Sequence, residues 1–329
     1  MSASSSRTIL AADVGGTHAR LGWVELPNDP SKAPSLLHHL RYRCAEFAGL
    51  DAIVRRFMAD APRQPHAVGI ACAGLRVDDR IISPNLPWEL DLIALRAACG
   101  DLPLAISNDF EALARATRWL PASECKLLCG KPCPADESRP LLVLGPGTGL
   151  GASIRVRVAA NHEFVIATEA GHAGYAPADA DEAAVLSHLQ SKMGHVATES
   201  LLSGPGLLRI YQTLCALRGT SANGASPEAV SSLAEQGTDA CAVDAVRLFW
   251  NALGNVVGNL VLQTGSFGGV LLAGGVLPRI EFGRVSSAFE ARLCAKGSMQ
   301  PAMQNVPIYQ IEHGELAILG AAMAVPAGA

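Results

Sequence analysis

The sequence predicts an α/β protein built as two layered domains. Three observations carry that prediction. Short apolar runs bounded by turn residues recur between residues 7 and 168. Helix-period segments follow them, the pattern of strands feeding helical crossovers. The 329 residues are 49% hydrophobic and 17% charged, with mean hydropathy +0.24, enough apolar material for about two cores.

Taken in order, strands are predicted near 7–14, 19–26, 38–43, 67–72 and 80–83. Helices are predicted near 50–60 and 89–98, and a strand near 103–107 runs into a helix over 109–119. The second part repeats the style, with strands near 140–145, 150–157 and 163–168 and then mostly helices to about 263. "SGPGLLRIYQTLCAL" has a strong helix start, with Ser203 as N-cap and Pro205 in the first turn. "GTSANGASP" (219–227) is a loop. A strand at 270–273, a helix near 281–295, a strand at 306–311 and a last helix from about 315 complete the chain. No short internal repeat is visible. The division expected is 1–108 plus 315–329 against 109–314, two α/β layers with a cleft that would bury a ligand.

Composition excludes several classes. Net charge is −4 and no basic cluster stands out, so neither nucleic acid nor an anionic membrane is an expected partner. Nine scattered cysteines, an odd number, fit reduced thiols in a cytoplasmic enzyme better than a disulfide framework. Cys125, Cys129 and Cys133 have C-x3-C-x3-C spacing, but tighter pairs mark zinc sites and no histidine is near; a strand edge with incidental thiols is the plainer account. "SSSRTILAA" is too short an apolar stretch for a signal peptide. Residues 248–278 lack Asp, Glu, Lys and Arg, yet their asparagines and glycines favour a buried helix ending near Thr264, with Gly254 and Gly258 for close helix packing.

Three glycine turns carry the chemistry. In "LAADVGGTHARLGW", Gly15 and Gly16 let backbone N–H groups approach an anion and Thr17 adds a hydroxyl. Asp13 beside a phosphate calls for a cation between them, which points to Mg²⁺; a tight hairpin with a turn-stabilising Asp is the competing account. "VLGPGTGLGAS" follows another apolar strand. Gly147, Gly149 and Ala152 satisfy G-x-G-x-x-A, the dinucleotide pattern of a nicotinamide oxidoreductase, but a strand rather than a helix follows, and no Gly-Lys-Ser/Thr is present for a P-loop. A second phosphate-facing hairpin with Thr148 as donor fits better. In "VLLAGGVLPR", Gly274 and Gly275 end a buried strand before a helix, a flat turn for a base or ribose or a plain connection. "AISNDFEALARA" puts Asn108 and Asp109 where a strand gives way to a helix; Asp109 either caps that helix or faces the cleft. "TEAGHAGYAP" holds Glu169 and His172, and "GHVATESLLSGPG" holds Glu199. Carboxylates, an amide and an imidazole match sugar hydroxyls, each both donor and acceptor.

With "DVGGTHARL", "SNDFEA", "GPGTGLG", "EAGHAGYAP", "GHVATESLLSGPGL", "GSFGGVLLAGGVLPR" and "LGAA" in view, the chain resembles the bacterial glucokinases of the non-zinc type, within the actin-like sugar kinase superfamily, nearly end to end. The resemblance implies two ribonuclease H-like α/β domains around a deep cleft, a cytoplasmic homodimer, and ATP with Mg²⁺ phosphorylating glucose at its 6-hydroxyl. It implies phosphate hairpins at Asp13, Gly15, Gly16 and Thr17 and at Gly147, Thr148 and Gly149, Mg²⁺ held by Asp13 through water, and an adenosine turn at Gly274 and Gly275. It implies glucose contacts from Asn108, Asp109, Glu169, His172 and Glu199, with Asp109 as catalytic base. His18 stands where Asn is common, Leu75 where a proline is common (near Asn85 and Trp88), and Ala317 where Gly is common. Those departures keep open an impaired, glucokinase-like sugar sensor.

Overall fold

The computed structural model describes residues 6–83, 86–132, 138–159, 162–280, 282–283, 286–312 and 314–326. Asn85, Cys133 and the Leu75 side chain lie outside the described residues. The first run of elements is β1 Ser6–Val14, β2 His18–Pro27, β3 Ser35–Arg43, α1 Leu50–Asp60, β4 Ala67–Cys72, β5 Leu75–Val77, β6 Arg80–Ile82, β7 Leu90–Asp91, α2 Leu92–Ala98, β8 Leu104–Ser107 and α3 Asp109–Ala116. The second is β9 Cys125–Cys129, β10 Leu141–Pro146, β11 Leu150–Ala159, β12 His162–Thr168, α4 Ala180–Met193, α5 Gly204–Arg218, α6 Pro227–Gln236, α7 Ala240–Thr264, β13 Val270–Leu272, α8 Ser286–Cys294, α9 Gln300–Met303, β14 Ile308–Ile311 and α10 Leu316–Met323.

The α/β class expected from the sequence is the class observed. One sheet has the order β3-β2-β1-β4-β8, a second β12-β11-β10-β13-β14-β9, and β5, β6 and β7 form a small third. Each large sheet opens with an antiparallel hairpin, β1 with β2 and β10 with β11. Each then adds a parallel strand to the hairpin's first member, β4 to β1 and β13 to β10. Leaving out the small sheet, the strands of both run third, second, first, fourth, fifth in chain order, with β9 added at one edge of the second. The chain thus uses one strand plan twice with no repeat of residues. β9, which holds Cys125 and Cys129, is an edge strand, as the thiol spacing allowed.

The chain divides into two compact units, 1–122 with 159–167 and 313–329, and 123–158 with 168–312. Helix α3 therefore belongs to the first unit instead of opening the second. The reason is packing: a Cβ on Gly320 of α10 would lie 1.7 Å from the Ala112 carbonyl oxygen of α3. In the first sheet, β1 is buried on both faces by period-two alternation. Leu10, Ala12 and Val14 share a core with Ile53, Phe57 and Leu95. Ile9 and Ala11 face Ala112, Ile318, Ala321 and Ala322. Trp23 is fully buried, and its ring nitrogen donates to the Ala61 carbonyl at 2.7 Å.

In the second unit α7 is the long apolar helix. It is long and apolar enough to span a membrane, but 72% of its most apolar window is buried inside the fold. A Cβ at Gly254 would meet the Phe289 carbonyl at 2.6 Å, and one at Gly258 the Leu293 carbonyl at 2.7 Å, so both glycines admit α8. Ser203 caps α5 by accepting the Gly206 N–H at 3.0 Å. Two expectations need correction. The helix expected at 89–98 starts at Leu92, because Asp91 is its N-cap and accepts from Ile93 and Ala94. A 3₁₀ turn, Leu277–Arg279, follows Gly274 and Gly275 instead of an α-helix, and Pro278 can donate no helical N–H.

Candidate active site

The first unit holds the first hairpin and the two aspartates. Asp13 lies within β1, not in the turn, and pairs across the ladder with Arg20. The Arg20 guanidinium reaches Asp13 Oδ2 at 3.4 Å and donates to the Gly314 carbonyl at 3.0 Å. The turn is tied down by main-chain bonds, Gly15 N–H to His18 carbonyl at 3.0 Å and Cys44 N–H to Thr17 carbonyl at 3.0 Å. Asn108 caps α3, its Oδ1 accepting from Phe110 at 2.9 Å and Glu111 at 3.3 Å. The cap is thus Asn108, not Asp109. Asp109 is the first helical residue, and its Oδ1 accepts the Phe110 N–H at 2.9 Å.

Electrostatics couple these groups. Burial pushes the Asp13 carboxyl up to about 6; Arg20 opposes the rise and the Asp109 charge adds to it. Burial, then Asp109, then Asp13 push the neighbouring Cys72 thiol up to about 12. Asp13, Asp109 and Cys72 therefore share one apolar, acid-bearing corner. Arg20 and Cys72 were missed in the sequence; an arginine inside an otherwise buried strand was the available signal. Folding pays a penalty at Asp13 that a bound cation would relieve. The carboxyl's ordinary value is 3.8, so between about pH 4 and pH 6 the folded chain holds a proton that the unfolded chain has lost. Stability is full below about 4 and falls as pH rises through about 6. We expect Asp13→Asn to raise the stability of the ligand-free protein at pH 7 by on the order of 2 kcal/mol while flattening that pH dependence, read by urea unfolding across pH 4–8.

The second unit gathers the other candidates. The Gly147 N–H donates to the Gly149 carbonyl at 2.8 Å, and the Gly204 N–H at the start of α5 donates to the Gly147 carbonyl at 2.8 Å. A Cβ on Gly274, whose φ is +98°, would lie 2.3 Å from the Pro146 carbonyl, so the Gly274–Gly275 turn abuts the second hairpin. Glu169 precedes the 3₁₀ turn Ala170–His172, His172 ends it, and Glu199 sits in a second one, Thr198–Ser200. The His172 ring lies between two carboxylates, Nε2 3.7 Å from Glu169 and Nδ1 3.5 Å from Glu199. Those spacings exceed hydrogen bonds and leave both nitrogens for hydroxyls. Glu199 Oε2 accepts the Leu150 N–H at 3.2 Å and would lie 2.6 Å from a Cβ on Gly149. Thr148 is in the turn between β10 and β11.

The glycines sort into two kinds. Gly274 is demanded by the fold through its φ and the Pro146 carbonyl, whereas a Cβ at Gly149 would meet only the far end of the Glu199 side chain and no main chain. Gly15, Gly147 and Gly275 are not demanded: none has a positive φ, a Cβ at Gly15 would make only an ordinary 3.5 Å contact, and nothing lies within 4 Å of one at Gly147 or Gly275. No neighbour crowds their side-chain positions, although the N–H groups of Gly15 and Gly147 are bonded to the His18 and Gly149 carbonyls.

The family profile described as "Glucokinase" matches residues 10–327. The chain belongs to the glucokinase family. A glucokinase-like protein of Xylella fastidiosa (strain 9a5c) is 40% identical over 316 residues, 96% of this chain and 93% of that protein. The glucokinase of Paramagnetospirillum magneticum is 35% identical over 324 residues, 96% of this chain and 97% of that one. The crystal structure of a glucokinase from an Antarctic psychrotroph is similar with a TM-score of 0.83 and 29% identity, covering 97% of this chain and 98% of that one. The glucokinase family resemblance in the motifs thus extends along the chain, and the α/β architecture with it.

Proposed function

We infer that this chain transfers the γ-phosphoryl group of ATP to the 6-hydroxyl of glucose. The observation that carries the site assignment is the pairing of Asp13 and Asp109: two half-buried acids on separate elements whose charges interact, beside Gly15, a glycine the fold does not require. Among the described residues no group of three or more His, Cys, Asp or Glu forms a metal cage. A single half-buried carboxylate suits Mg²⁺, which keeps most of its waters and takes phosphate oxygens. Asp13 is the residue that would hold it, through water, and the ion would supply charge neutralisation for the phosphates.

Gly15 and Gly147 would shape the two phosphate turns, their own N–H groups being held by the His18 and Gly149 carbonyls, while Gly16, Thr17, Thr148 and Gly149 would receive phosphate oxygens and Gly274 with Gly275 the nucleoside. Asn108 uses its oxygen in the helix cap, which leaves its amide N–H groups for a sugar oxygen. Glu169, His172 and Glu199 would take the remaining hydroxyls. Asp109 accepts the proton of the attacking hydroxyl. Phosphoryl transfer has a loose transition state, so most of the rate comes from positioning and charge stabilisation. The same proposal makes the protein a cytoplasmic homodimer; light scattering on the purified chain tests the assembly.

ADP release coupled to a dye, with a panel of hexoses, tests the reaction. Glucose-dependent ADP release supports it, and sugar binding without release would favour the sensor, the reading left open by the departures at His18 and Leu75. Gly147→Ala and Gly275→Ala sharpen the nucleotide side. Both should leave the melting temperature unchanged, because their Cβ atoms enter open space. If the added methyl groups hold the nucleotide off these turns, KM for ATP should rise about tenfold or more, the value of one hydrogen bond to a charged group. An unchanged KM would remove these glycines from the nucleotide site.

A further inference from the structure

A buried carboxylate that the reaction above leaves unused lies behind the sugar-site candidates. Glu182 is fully buried in the first turn of α4. A buried charge is costly unless it is paired and hydrogen-bonded. The helix itself does not call for one, because Asp179 already caps α4 by accepting the Glu182 N–H at 2.8 Å. In a capping box the acid three residues on returns to the N–H of the cap. Glu182 reaches past it: Oε2 accepts the Ala178 N–H at 2.7 Å and the Tyr175 hydroxyl at 2.7 Å. Among the described residues Oε1 accepts no hydrogen bond, and the Arg292 guanidinium faces it at 3.5 Å. Arg292 in turn pairs with Asp179. Burial, then the Glu182 charge, push the Tyr175 phenol above its ordinary pKa, so the phenol keeps the proton that it donates.

Tyr175 stands three residues after His172, and the main chain between them is tied to the segment that carries Glu199. The Ala173 carbonyl accepts the Thr198 N–H at 2.8 Å and its hydroxyl at 2.9 Å. Gly174 bridges to Ala197, and the Tyr175 N–H donates to the Val196 carbonyl at 3.0 Å. On the other side of Tyr175, Asn255 of α7 donates to the Ala176 carbonyl at 3.0 Å, and Lys296 donates to Asn255 Oδ1 at 2.7 Å. The Glu169 and His172 side chains are exposed and gain no rigidity from packing of their own. Their placement opposite Glu199 depends on what holds the main chain beneath them, and the Tyr175 side chain is the buried anchor of that main chain.

We propose that Glu182 is a positioning residue for the sugar: through Tyr175 and Ala178 it holds the chain from Ala173 to Ala178, and so sets His172 against Glu199. This role rests on the assignment of Glu169, His172 and Glu199 to glucose. The test is calorimetric titration of the full chain with glucose, without ATP, for the natural sequence, Tyr175→Phe and Glu182→Leu, well below their melting temperatures. A segment released from Glu182 spends only part of its time in the bonded arrangement, and apparent affinity falls by that fraction. Kd for glucose should rise about tenfold or more in both variants. A bound sugar restores the arrangement, so kcat at saturating glucose and KM for ATP should each stay within about twofold of their original values. Asp91→Ala is the control: it removes the α2 cap, lowers the melting temperature, and should leave Kd for glucose unchanged. Should Glu182→Leu fail to fold, Tyr175→Phe decides, since it deletes one oxygen and keeps the ring. An unchanged Kd in Tyr175→Phe, or an equal rise in Asp91→Ala, would overturn the role while leaving the sugar site in place. Absence of glucose binding by the natural sequence would remove the sugar-site reading itself, and the role with it.

Discussion

Asp109→Asn should lower kcat for glucose phosphorylation by about 10²–10⁴-fold, the range a positioned general base contributes, with KM for glucose within about threefold of its original value. The substitution isolates proton acceptance because so little else changes. The amide has the carboxylate's shape, and its oxygen can still accept the Phe110 N–H that Asp109 accepts at 2.9 Å. The α3 cap is Asn108, whose Oδ1 bonds to Phe110 and Glu111 stay in place. Removing the Asp109 charge also lowers the Asp13 carboxyl from its value of about 6, since that charge helps to raise it. Steady-state kinetics with sugar binding followed by tryptophan fluorescence give both numbers. Retention of normal turnover would exclude Asp109 as base and move the search to Glu169 or Glu199.

The hairpins were legible because two glycine pairs interrupt apolar runs, a pattern few other turns produce. The reason for those glycines was not. Backbone freedom was the expectation at Gly15, yet its φ is not positive, and among the glycines of the three turns Gly274 alone has φ in that range. Only three-dimensional surroundings separate a glycine required by a neighbour, such as Gly274 against the Pro146 carbonyl, from one whose side-chain position is open, such as Gly147. The repeated strand order was invisible for a related reason. Topology is fixed by which faces are apolar, and β1 and β10 achieve that with different residues. β5 was missed because it spans three residues after Gly74, whose φ of +136° breaks the run. The sugar-binding candidates were legible as residue types, but the placement of the His172 ring between Glu169 and Glu199 depends on two 3₁₀ turns joined by bonds from Thr198 to the Ala173 carbonyl. The division of the chain failed at α3 because helix docking is a matter of volume, and volume is not written in hydrophobic period.

That docking gives the second large effect. Gly320→Ala should destabilise the protein by about 3 kcal/mol or more, the upper part of the range for overpacked cores. The added methyl would sit 1.7 Å from the Ala112 carbonyl oxygen, and on the same helix the Ala321 carbonyl already leaves only 2.1 Å for a Cβ on Gly69 of β4. Helix α10 is therefore pressed between α3 and β4 by main-chain atoms, which cannot rotate away as a side chain would. The atoms nearest the added methyl all belong to the Ala112 main chain, so no side-chain rotation relieves the clash. Relief requires α3 and α10 to part, and α3 carries Asn108 and Asp109 at its start. Turnover should fall with stability, because a shift of about 1 Å in a reacting group can cost about 10²-fold. Differential scanning calorimetry beside the kinetic assay separates the two effects. Gly275→Ala is the control: its Cβ has nothing within 4 Å, so its melting temperature should match that of the natural sequence. Equal melting temperatures for Gly320→Ala and the natural sequence would mean that α10 is free to lift from α3 at little cost, and α3 could then not serve as the fixed mount for the proposed base.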